Sequence, residues 1–192
     1  PHQIQARPSL IAKARQADMI ACSGAGLEAG WLPVLLRKSA NPKIMPGKPG
    51  HFLATDHVQL LGKLTDDPTN IHAAGNPHVH FDPLRLQSIA TALANTLSVI
   101  DVENKAYYQA NLQRFQANWD AGMQEWKRSG EQLKGRSVIV HHDSWIYLFQ
   151  WLEIEQVATL EPKHGVPPST SHLAELLDLV SRSTSTGVSH HK

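Results

Sequence analysis

The stretch Asn-Pro-His-Val-His-Phe-Asp-Pro, residues 76–83, decides how the rest of this chain is interpreted. Pro77 and Pro83 bracket it, and neither can continue a sheet ladder or the interior of a helix. Between them, His78 and His80 lie two positions apart, so in an extended segment both imidazoles would project to the same face. The pattern therefore predicts a short strand end that presents imidazole nitrogen.

The last two residues of this stretch predict the start of a helix. Asp82 is suited to the N-cap position, and Pro83 is suited to the first helical position after it. In α/β proteins, ligands bind in clefts beyond the ends of strands. We therefore expect a metal ion at this point, and we expect histidines from distant parts of the chain to converge on it.

Histidine is unusually frequent, with 12 residues against three tyrosines and four phenylalanines. Neutral imidazole is the commonest protein ligand of transition metals. His190 and His191 resemble a terminal tag and are discounted. For the remaining histidines, the alternative is that they decorate the surface without a function.

The composition argues against several classes of partner. Lys and Arg total 18 and Asp and Glu total 17, which gives a net charge of +1. No basic stripe favours nucleic acid, no charged block suggests a membrane surface, and no apolar run is long enough to span a bilayer. Cys22 is the single cysteine, so an intrachain disulfide is excluded, and its apolar neighbours predict a buried structural thiol.

The first 75 residues predict an α/β arrangement followed by a long loop. The expected elements are a helix over 8–17, a strand covered on both faces over 18–23, a helix over 31–37, and a possible strand over 52–61 within a proline-rich loop. Between the first strand and the second helix, Ser23–Glu28 contains Gly24 and Gly26. The third glycine of a dinucleotide fingerprint is absent, so a tight turn is predicted in preference to a nucleotide site.

From residue 84 the apolar spacing becomes that of helices, and strands return after residue 135. The expected elements are helices over 84–100 and 102–130, a strand over 137–140, a helix over 144–153, a strand over 156–160, and a helix over 170–180. The helix over 102–130 is long enough to span two lobes. Its aromatic stripe is better explained by core packing than by ligand binding.

Together these elements predict an α/β fold with two βα lobes, a long central helix that joins them, and a metal cleft between the lobes. The expected divisions are an N-terminal lobe over 1–82, connecting helices over 83–133, a C-terminal lobe over 134–180, and a disordered tail over 181–192 that is rich in Ser and Thr. Both histidine pairs, 78/80 and 141/142, would lie where strands end.

Four blocks of this sequence resemble the periplasmic metal-binding proteins of zinc and manganese ABC importers. They are Pro1-His2 followed by Gln5–Ser9, then Ser23–Glu28 with Trp31, then residues 75–83, and finally Val140–Tyr147. The resemblance covers residues 1 to about 180, and the third and fourth blocks are specific. It implies two α/β lobes bridged by a rigid helix, and a periplasmic monomer that delivers a divalent metal to an ABC transporter permease and is not an enzyme.

The resemblance also implies the metal ligands. By their positions in the motifs, His2, His78 and His142 match the three histidine ligands of the family, and His141 is a neighbour of a ligand. The family's fourth ligand is an acidic residue late in the second lobe, but no Asp or Glu follows Asp178 here. We therefore expect a chain that is truncated at both ends, with both lobes incomplete.

A set of three imidazoles favours Zn²⁺ over Mn²⁺, because zinc accepts nitrogen ligands in four-coordinate sites whereas manganese prefers oxygen. Asp82, Asp143 and Glu161 are candidates for orienting ring N–H groups, although a helix cap is the favoured role for Asp82. Two alternatives stay open. One is a zinc-dependent hydrolase with Glu28 or Glu161 as general base, and the other is a non-functional remnant of the binding protein.

Overall fold

A computed structural model describes residues 4–62, 75–162 and 166–186, with side chains up to residue 182. The chain divides into two compact units, Pro1–Glu131 and Gln132–Lys192. Each unit contains helices and a pair of strands, which agrees with the predicted α/β class. Within the described ranges, no helix is both long and apolar enough to cross a membrane.

The first unit opens with two short helix–strand pairs. They are α1 (Pro8–Gln16), β1 (Ile20–Cys22), α2 (Leu32–Ser39) and β2 (His51–Leu53). The two strands are parallel, with Ala21 opposite Phe52. Parallel strands need a crossover connection, and α2 lies within that connection.

The core of these elements forms where α1 and α2 pack together. Four buried apolar side chains define it: Ala14, Leu35, Leu36 and Ile44. Leu10 and Ile11 pack against this cluster at the helical spacing that places them on the same face as Ala14. These three residues therefore form the inward face of α1.

The glycine-containing segment after β1 is a tight turn, as predicted, and a buried carboxylate braces it. Glu28 accepts hydrogen bonds from the backbone N–H groups of Ser23 at 2.9 Å and Gly24 at 3.0 Å. Gly24 has a φ of +91°, and a Cβ at this position would lie 2.2 Å from Thr55 Oγ1. Close packing explains the glycine, and the two backbone donors are held by Glu28 rather than by a phosphate.

The strand considered possible over 52–61 is mostly absent. β2 ends at Leu53, and Ala54–His57 form a 3-10 helix. The backbone N–H of Thr55 donates to Ser23 O at 2.9 Å, so the chain bends to pack against the tight turn. This tertiary contact overrides the local strand propensity.

Two long helices complete the first unit. Helix α3 covers Pro83–Ile100, and α4 covers Lys105–Gly130 after a 3-10 turn at Val102–Asn104. Phe115 stacks on Trp119 with ring centroids 5.1 Å apart, and the indole N–H of Trp119 donates to Pro83 O at 2.8 Å. The aromatic stripe thus packs α4 against the start of α3, as the core-packing interpretation predicted.

The second unit repeats the strand–helix pattern. Its elements are β3 (Ser137–Val140), α5 (Ile146–Leu152), β4 (Glu155–Thr159) and α6 (Thr170–Thr186). The two strands are parallel, and Val140 pairs with Thr159 at their carboxyl ends. Tyr147 of α5 is fully buried.

Helix α6 corrects the prediction of a disordered tail beginning at residue 181. The helix continues to Thr186. Ser181 Oγ donates to Asp178 O at 2.8 Å, and Arg182 lies 4.0 Å from the Asp178 carboxylate. Both contacts join residues one turn apart, as in a helix, although the composition of this segment suggested disorder. Residues 187–192 of the predicted tail lie outside the described residues.

Substitution of Gly24 tests how tightly the turn is packed. We expect Gly24→Ala to lower the free energy of unfolding by about 1–3 kcal/mol more than Gly47→Ala, which is the usual cost of overpacking. Gly47 is the matched control because its φ is also positive, at +81°, but an added Cβ would meet nothing within 4 Å. Urea denaturation of the two variants measures the difference, and equal losses would contradict the packing argument.

The reactivity of Cys22 offers a second test of the fold. Its thiol is half-buried, and burial, followed by the charge of Glu28, raises its pKa from 9.0 to about 12. The thiol is therefore expected to stay protonated in the folded state and to react slowly with iodoacetamide at mildly alkaline pH. Because the folded pKa exceeds the unfolded one, this group's contribution to stability is complete below pH 9.0 and is lost as the pH rises to about 12.

Alkylation of native and urea-unfolded protein, followed by mass spectrometry, measures this protection. The unfolded protein should react many times faster. Equal rates in the two states would mean that Glu28 and burial do not protect the thiol.

Candidate metal site

His78 lies at the start of a 3-10 turn, although a strand end was predicted. The turn covers Val79–Phe81, and Phe81 N donates to His78 O at 3.1 Å. A 3-10 turn rotates successive side chains by about 120°, so residues two apart do not share a face. His78 is 5% exposed whereas His80 is an exposed residue, yet the centroids of their rings lie 5.7 Å apart in an edge contact. The predicted strand end is therefore wrong, although the two imidazoles remain neighbours.

The imidazole of His78 is held by the side chain of Asn76. Asn76 Oδ1 lies 2.9 Å from the backbone N of His78 and 2.8 Å from its ring Nδ1. An amide oxygen can only accept, so Nδ1 carries the hydrogen and the lone pair lies on Nε2. Both residues are buried, which keeps this contact away from competing water.

The backbone before His78 explains how Asn76 reaches it. Asn76 N donates to Leu61 O at 2.8 Å. Gly75 has a φ of +123°, and a Cβ there would lie 2.6 Å from the Cβ of Leu60. Only glycine fits this close approach, so the Gly75-Asn76 dipeptide anchors the histidine turn to the neighbouring segment.

Asp82 caps helix α3, which was the favoured interpretation of this residue. Its Oδ1 accepts from Leu84 N at 2.8 Å and from Arg85 N at 3.0 Å. The Arg85 guanidinium pairs with the other carboxylate oxygen, and Arg85 Nε donates to Gln59 O at 2.7 Å. The described contacts of Asp82 therefore fix the helix start, and they do not include the ring of His78.

In the second unit, Glu161 holds His142. Its Oε2 lies 2.8 Å from His142 Nδ1, so this ring also carries its hydrogen on Nδ1 and its lone pair on Nε2. The predicted role of Glu161 as a residue that orients an imidazole fits this contact. Asp143, the other candidate, accepts a hydrogen bond from Gln156 Nε2 at 3.1 Å.

The sheet of the second unit brings His142 and Glu161 together. His142 lies just past the carboxyl end of β3, and Glu161 lies just past the carboxyl end of β4. Leu160 N donates to Val140 O at 2.7 Å, and Glu161 N donates to His141 O at 3.0 Å. The backbone pairing therefore extends beyond the strands and sets the carboxylate beside the ring, at the sheet edge where α/β proteins bind ligands.

His141 and His142 differ in their surroundings. The side chain of His141 is 68% exposed, and its Nδ1 lies 3.8 Å from Glu161 Oε1. The side chain of His142 is 23% exposed and makes the short contact. The held and partly buried ring is the better candidate for a ligand, because less conformational freedom is lost when it binds an ion.

Other described histidines make structural contacts. His51 Nδ1 lies 2.9 Å from Ile44 O, the ring of His57 stacks on Phe52 with centroids 4.6 Å apart, and His172 Nε2 lies 2.9 Å from Thr159 O. His2, the third predicted ligand, lies outside the described residues. Within the described part of the chain, no three His, Cys, Asp or Glu side chains form a group that could hold a metal ion.

Sequence reasoning missed Asn76, although a signal for it was present. Asn followed by Pro predicts a turn in which the Asn side chain accepts a hydrogen bond from the backbone two residues on. The residue two positions after Asn76 is His78. The same oxygen reaches the histidine ring as well as its backbone, and that second contact could not be deduced without coordinates.

The fold is of the α/β class, and each of its two units holds one histidine ring through an oxygen acceptor. The family model described as "ZnuA: Zinc-uptake complex component A periplasmic" matches residues 1–188. The chain belongs to this family.

Similar proteins support the assignment. The high-affinity zinc uptake system protein ZnuA of Yersinia pestis is 21% identical over 199 residues, which covers 92% of this chain and 60% of that protein. A crystal structure of ZnuA superimposes with a TM-score of 0.76 at 25% identity, covering 96% of this chain and 67% of the other. A zinc-bound ZnuA lacking residues 138–173 gives a TM-score of 0.75 at 24% identity, covering 96% and 65%. This chain therefore spans about 60% of the length of the Yersinia relative.

Substitution of Asp82 tests how strongly its side chain stabilises the start of helix α3. We expect Asp82→Ala to lower the free energy of unfolding by about 1–2 kcal/mol, because two backbone donors of helix α3 lose their acceptor. Asp82→Asn is the control, since its amide oxygen can still cap the helix while the charge that pairs with Arg85 is removed. Urea denaturation compares the three proteins. A loss for Asp82→Asn as large as that for Asp82→Ala would assign the stability to the ion pair instead of the cap.

Proposed function

We propose that this chain captures Zn²⁺ in the periplasm and delivers it to the permease of an ABC importer. One observation carries the proposal. His78 and His142 each have Nδ1 held by an oxygen acceptor at 2.8 Å. Imidazoles held in this way present the Nε2 lone pair, which is the usual arrangement of histidines that bind metals.

The proposed ligands are His2, His78 and His142, bound to one ion. The environments of His78 and His142 support this assignment, and the Pro1-His2 motif supports the third residue. The short contact with Glu161 favours His142 over His141. Water or a carboxylate would complete the four-coordinate geometry that zinc prefers.

Zinc is the favoured metal because the proposed donors are all nitrogen. Manganese is better served by oxygen ligands. The name of the Yersinia relative and the zinc bound to the ZnuA deletion mutant point the same way. By the Irving–Williams order, cupric ion would also bind these imidazoles, so selectivity depends on which ion is available.

Binding and release would require no covalent chemistry. The ion displaces protons from the imidazoles, so its affinity should fall as the pH drops through the range in which histidine titrates. Delivery follows when the loaded protein, acting as a monomer, docks on the permease. The family's role in uptake supports a binding protein that is not an enzyme.

The alternative of a zinc-dependent hydrolase is not favoured, because the two carboxylates considered as its general base have other roles. Glu28 is occupied by the N–H groups of Ser23 and Gly24. Glu161 is occupied by the ring of His142. A general base must reach the water that it activates, and neither carboxylate offers such a position in its present contacts.

Zinc calorimetry on the intact chain tests the proposed ligands. The wild-type protein should bind one ion, and His78→Ala and His142→Ala should each weaken binding by more than the roughly 10–100-fold that loss of an outer partner costs. His57→Ala is the matched control, because this exposed residue stacks its ring on Phe52 and is not a proposed ligand.

His141→Ala separates the two adjacent histidines. It should leave the affinity close to that of the wild type. Loss of binding in His141→Ala with retention in His142→Ala would reverse the assignment. A wild-type chain that binds no zinc would refute the proposed function, including the possibility that this sequence acts alone.

A further inference from the structure

We propose that Asn76 is a positioning residue that selects one tautomer of His78 and so directs Nε2 toward the metal. The tautomer is a property of this chain without any ion. Only the final step, the use of Nε2 to bind zinc, rests on the proposed function. The two statements can therefore fail separately.

The hydrogen-bond geometry allows only one tautomer of the neutral His78 ring. A backbone N–H can only donate, so the Asn76 atom that lies 2.9 Å from His78 N must be the amide oxygen. The same oxygen lies 2.8 Å from His78 Nδ1. An oxygen that cannot donate requires a hydrogen on Nδ1, which leaves the lone pair of the neutral ring on Nε2. Free neutral histidine prefers the opposite tautomer, so the protein supplies the bias.

The surroundings keep this oxygen in place. Asn76 is 6% exposed and His78 is 5% exposed, so water competes poorly for either group. Asn76 N is tied to Leu61 O at 2.8 Å, and the ring of Pro77 restricts the backbone between the two residues. The Asn76 amide oxygen thus accepts from both the backbone N–H and the ring N–H of His78. Rotation of the imidazole would break the contact with the ring.

The chain contains a matched turn that lacks the histidine. Asn41 also precedes a proline, is also 6% exposed, and its Oδ1 accepts from Lys43 N at 3.0 Å. Its amide nitrogen donates to Ala14 O at 2.8 Å and to Ala17 O at 2.7 Å. Asn41 therefore has a purely structural role. Its substitution shows the effect of losing a buried Asn-Pro turn when no histidine contact is lost.

Nitrogen-15 NMR of the metal-free protein tests the tautomer directly. Long-range ¹H–¹⁵N correlations at mildly alkaline pH distinguish Nδ1–H from Nε2–H rings, and His78→Gln identifies the signal. We expect Nδ1–H in the wild type and in Asn41→Ala, and a shift toward Nε2–H in Asn76→Ala. Asn76→Asp should restore the wild-type pattern, because an ionised carboxylate is also only an acceptor.

Zinc titration of the same proteins tests the consequence. Asn76→Ala should bind roughly 10–100-fold more weakly than the wild type, as expected for loss of an outer partner. Asn76→Asp should recover most of the affinity, and Asn41→Ala should lose stability without a matching loss of affinity. If Asn76→Ala does not fold, the wild-type and Asn76→Asp spectra still decide the tautomer.

Two results would overturn the inference. One is a wild-type His78 that carries its hydrogen on Nε2. The other is an Asn76→Ala spectrum that still has the Nδ1–H pattern. An Nδ1–H ring in a wild-type chain that binds no zinc would leave the positioning role intact and remove the proposed function.

Discussion

A histidine that binds a metal must expose a lone pair on one ring nitrogen, and the other nitrogen must then carry a hydrogen. Burying that N–H without an acceptor costs about 1–3 kcal/mol, so a held imidazole needs an oxygen in the right place. The chain supplies Asn76 for His78 and Glu161 for His142. Much of the local architecture, from the Gly75 turn to the parallel pairing of β3 and β4, has the effect of placing these two acceptors.

The acceptors are fixed by different means in the two units. Asn76 is local: it lies two residues before its histidine, and a turn is sufficient to join them. Glu161 lies 19 residues after His142 and reaches it only because the backbone ladder continues past the strand ends. The first arrangement depends on a short sequence motif, and the second depends on the sheet being formed.

That difference explains what could be predicted from the sequence. Local signals were reliable: the cap at Asp82, the tight turn closed by Glu28, and the helical spacing through α3 and α4 all follow from nearest neighbours along the chain. The family resemblance placed the histidines in motifs. The reach of Asn76 Oδ1 to a ring as well as to a backbone N–H requires coordinates, because sequence spacing specifies only the backbone contact.

The errors share a cause. A strand end was predicted within residues 76–81 and a possible strand over 52–61, but both segments contain 3-10 turns. Each is short, and each is tied to a segment elsewhere in the chain: Asn76 N donates to Leu61 O in one case, and Thr55 N donates to Ser23 O in the other. Period-two patterns over so few residues are compatible with several conformations, so tertiary contacts decide among them.

The parallel strands of the second unit carry one further consequence. Main-chain hydrogen bonds bring the residues after β3 and β4 side by side, whatever side chains these two positions carry. A side chain at either position can therefore be replaced without removing a backbone hydrogen bond of the ladder.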